Sequence, residues 1–166
     1  LINEESEKTT ASIRSVLATY ITPFKYLPNS KTTFSIRDFI ANNKGGERLF
    51  LSSMQDQLEA LRPLITAWLD QAIFTVLSLP KSDDTRIWLK IDELPTLQKL
   101  NALSTFMSTS RKVGGCTVLG FQNYPQLKEI YGKDGADNIC GLSATWGIFS
   151  CGDMETARWA SDGIGN

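Results

Sequence analysis

Apolar and polar positions change period several times along the chain. Ile13, Val16, Leu17, Tyr20 and Ile21 fall at i, i+3, i+4, i+7 and i+8, which predicts an amphipathic helix from Glu4 to about Tyr20. Thr9, Thr10 and Ser12 are candidate caps if that helix begins late. Pro23 and Pro28 bound a loop, with Asn29-Ser30-Lys31 as its turn. Ser35 caps a short helix through Ile40, and residues 42–46 form a turn. Arg48-Leu49-Phe50-Leu51-Ser52 then reads as a strand. Pro63 suits the first turn of a helix. Leu64, Ile65, Trp68, Leu69, Ala72, Ile73, Val76 and Leu77 carry that helix to Leu79, with an apolar face broad enough for deep burial.

The stretch from Arg86 to Ile91 is short and mostly apolar, with a charged loop before it and Pro95 after it. That pattern predicts a buried strand of a parallel sheet. Leu97, Leu100, Leu103, Phe106 and Met107 predict a helix that ends at Arg111-Lys112, with Gly114-Gly115 as its stop. Cys116 to Phe121 is the next strand and ends at Gln122. Pro125 to Tyr131 is a helical turn or two stopped near Gly132, and Asp134 to Leu142 a further helix. Ala144 to Phe149 is a last strand, and Met154 to Ser161 a last helix. This alternation predicts an α/β fold, a mostly parallel sheet flanked by helices.

Composition narrows the chemistry. The 166 residues suit one domain of ordinary size, and 42% apolar residues suffice for a core. A net charge of −1 gives no bulk basic footprint, so contact with DNA would have to come from a local loop or an oligomeric pore. No apolar run approaches the length of a membrane span, and no signal peptide opens the chain. Leu1-Ile2-Asn3-Glu4-Glu5 reads as the middle of something rather than a start. The absence of histidine removes imidazole catalysis and histidine zinc sites. Cys116, Cys140 and Cys151 lack Cys-x-x-Cys spacing and read as small buried residues in a reducing compartment.

The first strand ends in two adjacent carboxylates, Asp92 and Glu93. In open α/β sheets ligands sit outside the carboxyl ends of the strands. One acid there can order Mg²⁺ on a nucleotide, and the next can act as a general base on water. Gln122 ends the next strand, where an amide can hold a water or a phosphate oxygen. Arg111 ends the intervening helix, and its guanidinium can serve as an arginine finger toward a phosphate bound by another subunit. Taken alone, the acidic pair also reads as a solvated turn, Gln122 as a loop cap and Arg111 as a partner of a helix dipole. Their order along the chain points to the sharper roles.

The segment RIWLKIDELPTLQKLNALSTFMSTSRKVGGCTVLGFQNYPQLKEIYG resembles the Walker-B half of the motor domain of the type IV coupling proteins of bacterial conjugation, the TraD/TrwB family. The resemblance rests on Ile91-Asp92-Glu93-Leu94-Pro95, Ser110 to Gly115, Gly120-Phe121-Gln122-Asn123-Tyr124, Gln126-Leu127 and Ile130-Tyr131-Gly132, in matching order and spacing. It extends upstream through Phe34 to Asp38 and Leu61 to Ile65. The first thirty or so residues resemble the exit from that family's inserted all-α subdomain, and the likeness weakens at both ends.

The resemblance implies a RecA-like P-loop NTPase fold, here partial. It divides the chain into residues 1–33, the end of the all-α subdomain and a linker, and residues 34–166, the Walker-B half of the nucleotide-binding domain. It implies a membrane-anchored homo-hexamer at the cytoplasmic face of the bacterial inner membrane. That hexamer binds ATP and Mg²⁺, binds DNA, and links relaxosome proteins to a type IV secretion channel. Asp92 would be the metal ligand and Glu93 the catalytic base. Gln122 would sense phosphate, and Arg111 would be the finger. One departure stands out: no G-x-x-x-x-G-K-[ST] is present, and Gly45-Gly46 is followed by Glu-Arg. In the family that loop lies upstream of the all-α insertion. The expectation is therefore a piece of the motor that does not hydrolyse ATP alone. A non-catalytic RecA-like docking or oligomerisation module is the competing reading. A chromosome-translocase type of DNA pump is a further one, disfavoured by the Leu94-Pro95 and Phe121-Gln122-Asn123 contexts.

Overall fold

A computed structural model describes residues 4–27, 29, 31 and 33–165. Pro28 and Ser30, and the opening Leu1-Ile2-Asn3, lie outside the described residues, so the loop boundary and turn expected there are not addressed. Helix α1 spans Glu4–Ile21 and leads into a 3-10 turn at Thr22–Tyr26. Helix α2 spans Ile36–Ala41, and its first turn is closed as expected: the Asp38 amide donates to Ser35 Oγ at 3.2 Å.

Helix α3 spans Leu58–Leu77, beginning five residues before Pro63 rather than at it. Leu58 and Leu61 extend the same apolar face upstream, and packing of that face outweighs the hydrogen bond that Pro63 cannot donate. The helix is less deeply buried than its sequence suggests. Ile73 and Val76 are buried, but Phe74 faces outward.

Strand β1 is Ile87–Ile91 and strand β2 is Gly115–Leu119. They pair in parallel, with Ile87 opposite Gly115 and Ile91 opposite Leu119. The crossover between them holds a 3-10 turn at Leu94–Thr96, helix α4 at Leu103–Thr109 and a second 3-10 turn at Ser110–Val113. Helix α5 spans Tyr124–Gly141 but breaks at Gly132, where φ is 73° and ψ is 167°, matching the expected pair of helices. Helix α6 spans Met154–Ile164.

Two expected strands do not form among the described residues. Residues 48–52 and 144–149 carry no ladder bonds. Phe50 and Phe149 are 80% and 93% exposed, so the apolar pattern that predicted strands has no sheet to pack into. Nor is β1 fully buried. Side chains alternate across a strand. Ile87, Leu89 and Ile91 turn to the helices, while Trp88 and Lys90 lie on the open face with Val118 of β2. Lys90 sits 5.7 Å from the Trp88 ring centroid.

The core lies on the covered face. Leu94, Leu97, Leu100 and Leu103 meet Leu127, Tyr131 and Ile139 of α5. Ile73 and Val76 of α3 meet Phe106 and Val113. Leu94, Leu103 and Leu127 have no exposed surface, and each contributes about 1.5–3 kcal/mol of burial. The loop between the Leu94–Thr96 turn and α4 has no ladder of its own, so its amides find side chains. Gln98 N–H donates to Thr66 Oγ1 at 3.2 Å, Leu100 N–H to the Tyr131 hydroxyl at 3.3 Å, and Ala102 N–H to the Asp70 carboxylate at 3.4 Å. Burial in this core raises the Tyr131 hydroxyl pKa above its ordinary value.

Candidate functional site

Because β1 and β2 are parallel and in register through Ile91 and Leu119, the residues after them emerge at one edge of the sheet. Two backbone bonds tie these exits together. Gly120 N–H donates to the Ile91 carbonyl at 2.8 Å, and Leu94 N–H donates to the Gly120 carbonyl at 2.8 Å. Asp92, between them, is exposed and lies against Gly120.

Glu93 adopts the left-handed conformation, with φ 57° and ψ 59°, alone among the described non-glycine residues in having a positive φ. That conformation costs roughly 1–2 kcal/mol. It is held by full burial of the next residue, Leu94, and by Thr96. The Thr96 amide donates to the Glu93 carbonyl at 3.0 Å, and Thr96 Oγ1 donates to it at 2.9 Å. Backbone strain of this kind concentrates where a side chain must be aimed.

β2 ends at Leu119, short of the expected Phe121, and Gln122 follows three residues later beyond the same edge. It is exposed and makes no side-chain hydrogen bond among the described residues. Asn123 caps α5, its Oδ1 accepting from Gln126 N–H at 2.9 Å. The Tyr124 amide donates to Thr156 Oγ1 of α6 at 3.0 Å. The Tyr124 hydroxyl donates to the Asp137 carboxylate. Burial first, then that hydrogen bond and the charge of Asp137, push its pKa well above the ordinary tyrosine range. The thiol of Cys140 is pushed up to about 11, chiefly by burial. All three cysteines are free, but only Cys140 is buried; Cys116 and Cys151 are half-buried, contrary to the expectation for all three.

The structure thus brings Asp92, Glu93 and Gln122 to one edge. Arg111 is elsewhere. It sits in the 3-10 turn before β2, at the opposite end of the sheet, a five-residue strand away, or roughly 16 Å. There it lines an open cleft of about 770 Å³ with Arg86, Lys112 and Asp83. The Arg86 guanidinium is pinned by donating to the carbonyls of Asp83 at 2.9 Å and Thr85 at 2.8 Å. Gly114 seats this turn, since a β-carbon there would fall 2.1 Å from the Thr85 carbonyl oxygen.

The donor set suits Mg²⁺ bound through a nucleotide. Among the described residues no group of three or more acidic, cysteine or histidine side chains could hold a metal by itself. Mg²⁺ usually keeps several waters and takes one or two carboxylates plus substrate phosphates, and an exposed aspartate at a sheet edge meets that need. Sequence reasoning did not single out Arg86, Thr156 or Trp159. Thr156 reaches Tyr124 across 32 residues, and nothing local signals such a contact.

Comparison with known proteins identifies the family of the chain. The family model described as the type IV secretion-system coupling protein DNA-binding domain matches residues 1–166. Coupling protein TraD of Escherichia coli (strain K12) is 36% identical over 171 residues, a match spanning 99% of this chain and 24% of TraD. The plasmid coupling protein TrwB, solved with the non-hydrolysable GTP analogue GDPNP, superposes with a TM-score of 0.72 at 36% identity, over 84% of this chain and 33% of that one. TrwB with ADP and Mg²⁺ gives the same TM-score, identity and coverage. The chain therefore spans about a quarter to a third of these relatives' length, and its small parallel sheet and helices are part of a RecA-like P-loop fold. It belongs to the type IV secretion-system coupling proteins.

Proposed function

We propose that this chain is the Walker-B segment of an ATP-driven DNA-translocating motor. The motor links relaxosome proteins to a type IV secretion channel and works as a homo-hexamer at the cytoplasmic face of the bacterial inner membrane. The observation that carries the reading is the shared edge of the sheet: Asp92 and Glu93 leave β1 where Gln122 leaves the adjacent parallel strand. The solved complexes of TrwB with an ATP analogue and with ADP and Mg²⁺ support ATP and Mg²⁺ as the ligands. Residues 1–33 are the exit from a helical subdomain. The exposed apolar stripe of α1, with Ile13, Val16, Leu17 and Tyr20, supports a role apart from the main core.

In this reading Asp92 holds Mg²⁺, which when bound neutralises charge on the phosphates. Glu93 takes a proton from the attacking water, and its constrained backbone fixes where its carboxylate can reach. Gln122 bonds a phosphate oxygen or that water. Arg111 lies at the opposite end of the sheet from its own carboxylates and serves the nucleotide of a neighbouring subunit, which fits its place in a basic cleft there. The test is Glu93→Gln in the full-length protein carrying this segment. Hydrolysis should be lost while nucleotide binding stays within about twofold, because the base acts on water and not on the bound ground state. Equal turnover in variant and wild type would remove Glu93 from the mechanism.

A further inference from the structure

Gln122 has no side-chain hydrogen bond of its own among the described residues, so its backbone sets its position. That backbone is held from both sides by one residue of α6. Phe121, just before Gln122, meets the Trp159 ring edge-on with centroids 6.3 Å apart. Tyr124, two residues after it, stacks on Trp159 at 5.0 Å with 9° between the planes. Trp159 is itself backed by Trp146, stacked at 4.8 Å. Trp146 is fixed in turn, its Nε1–H donating to the Cys140 carbonyl at 3.1 Å.

A second tie is polar. Tyr124 opens α5, and the amide of a first helical residue has no partner inside the helix. Here the buried Thr156 hydroxyl of α6 accepts it at 3.0 Å. The Thr156 amide is taken by Asp153 Oδ1 at 2.8 Å, which fixes the turn of α6 that presents the hydroxyl. Aromatic pairs and a buried hydrogen bond from the same helix therefore fix the chain on both sides of Gln122-Asn123.

We propose that α6 is the positioning device for Gln122, with Thr156 and Trp159 as positioning residues for ATP hydrolysis. The proposal rests on the reading of Gln122 as the phosphate sensor. A group that acts by donating and accepting short hydrogen bonds loses most of its effect when displaced by about an ångström. The Gln122 side chain is exposed and without a side-chain hydrogen bond among the described residues, so the precision must come from Phe121 and Tyr124, and those two residues share Trp159. Phosphate affinity in P-loop folds comes mainly from the phosphate loop and its lysine, and Gln122 adds at most one hydrogen bond, so loosening α6 should act on turnover far more than on affinity.

The experiment measures kcat and the nucleotide KM of the full-length protein carrying this segment, at temperatures below each variant's melting transition. Thr156→Val and Trp159→Leu should each lower kcat about tenfold with KM within about twofold, and Thr156→Ser, which keeps the acceptor, should restore it. Adding Gln122→Ala to either variant should cost nothing more, because the same contribution is already lost. If Gln122→Ala lowers kcat but Thr156→Val and Trp159→Leu do not, the positioning role falls and the sensor reading stands. If Gln122→Ala leaves kcat unchanged, the sensor reading falls and the positioning role falls with it. Should Trp159→Leu fail to fold, Thr156→Val and its serine rescue carry the decision.

Discussion

Asp92 and Gly120 sit against each other at the end of the two strands: a β-carbon at position 120 would lie 3.1 Å from Asp92 Oδ1. The glycine leaves room for the carboxylate exactly where the strand register puts it, and that closeness makes the pair testable. Gly120→Ala presses on the free end of an exposed side chain, which yields more easily than backbone. The expected result is a melting point shifted by no more than a few degrees. The displaced carboxylate should raise the Mg²⁺ concentration for half-maximal ATPase about tenfold in the full-length protein. An unchanged Mg²⁺ dependence would mean that Asp92 does not hold the ion from this position.

Arg111 gives a different kind of prediction, because its own carboxylates are at the other end of the sheet. If Arg111 is the proposed finger, its place at the far end of the sheet leaves it a neighbouring subunit's nucleotide to serve. Fingers supplied in trans contribute on the order of 10³-fold or more to turnover. Subunits carrying Arg111→Ala, mixed with subunits lacking the phosphate-loop lysine, should recover part of the ATPase activity that neither parent shows. Mixtures that never exceed either parent would place Arg111 outside catalysis between subunits.

Much of this edge was legible in the sequence because its signals are local. A short apolar run, an Asp-Glu pair and a following proline put the carboxylates at a strand end, and the Arg111-Lys112 stop with Gly114-Gly115 beyond it put β2 one helix later. Ser35 and the break at Gly132 were legible for the same reason. The misread strands at 48–52 and 144–149 show the limit. Alternation tells that a segment can join a sheet, not that a neighbour is there to pair with it. Burial of β1 was overread likewise, since Ile87, Leu89 and Ile91 are covered but Trp88 and Lys90 are not. Trp159 and Thr156 left no local trace of their role at this edge, because the residues they hold there, Phe121 and Tyr124, lie more than thirty residues away.

The N-terminus of α6 should be sensitive to acid. The Thr156 amide donates to Asp153 Oδ1, and this bond holds the Asp153 carboxyl below its ordinary value. The folded value is thus lower than the unfolded one. Its stabilisation is fully present above about pH 4, the unfolded value, and is lost as pH falls through the folded value. Asp153→Asn keeps an accepting side-chain oxygen at the cap but does not titrate. The melting point of wild type relative to this variant should therefore be highest above about pH 4 and decline below it. A difference that stays constant as the pH is lowered would show that the cap bond does not depend on the charge.

The 166-residue chain by itself should neither hydrolyse ATP nor be stabilised by it. Phosphate affinity in P-loop folds comes mainly from the backbone amides of the phosphate loop, its lysine and the helix N-terminus behind it. No such loop sequence occurs in this chain. Asp92 and Glu93 repel a polyphosphate unless Mg²⁺ bridges them, and Mg²⁺ gives up its waters reluctantly. The open face of the sheet, with Trp88 57% and Val118 49% exposed, and the outward Phe50 and Phe149 leave apolar surface in water. Such surface and an unpaired strand edge favour association. Sedimentation should therefore show self-association that grows with concentration, and melting curves with and without Mg²⁺-ATP should coincide. Micromolar binding by a monodisperse sample would reveal a phosphate site outside the edge described by Asp92, Glu93 and Gln122.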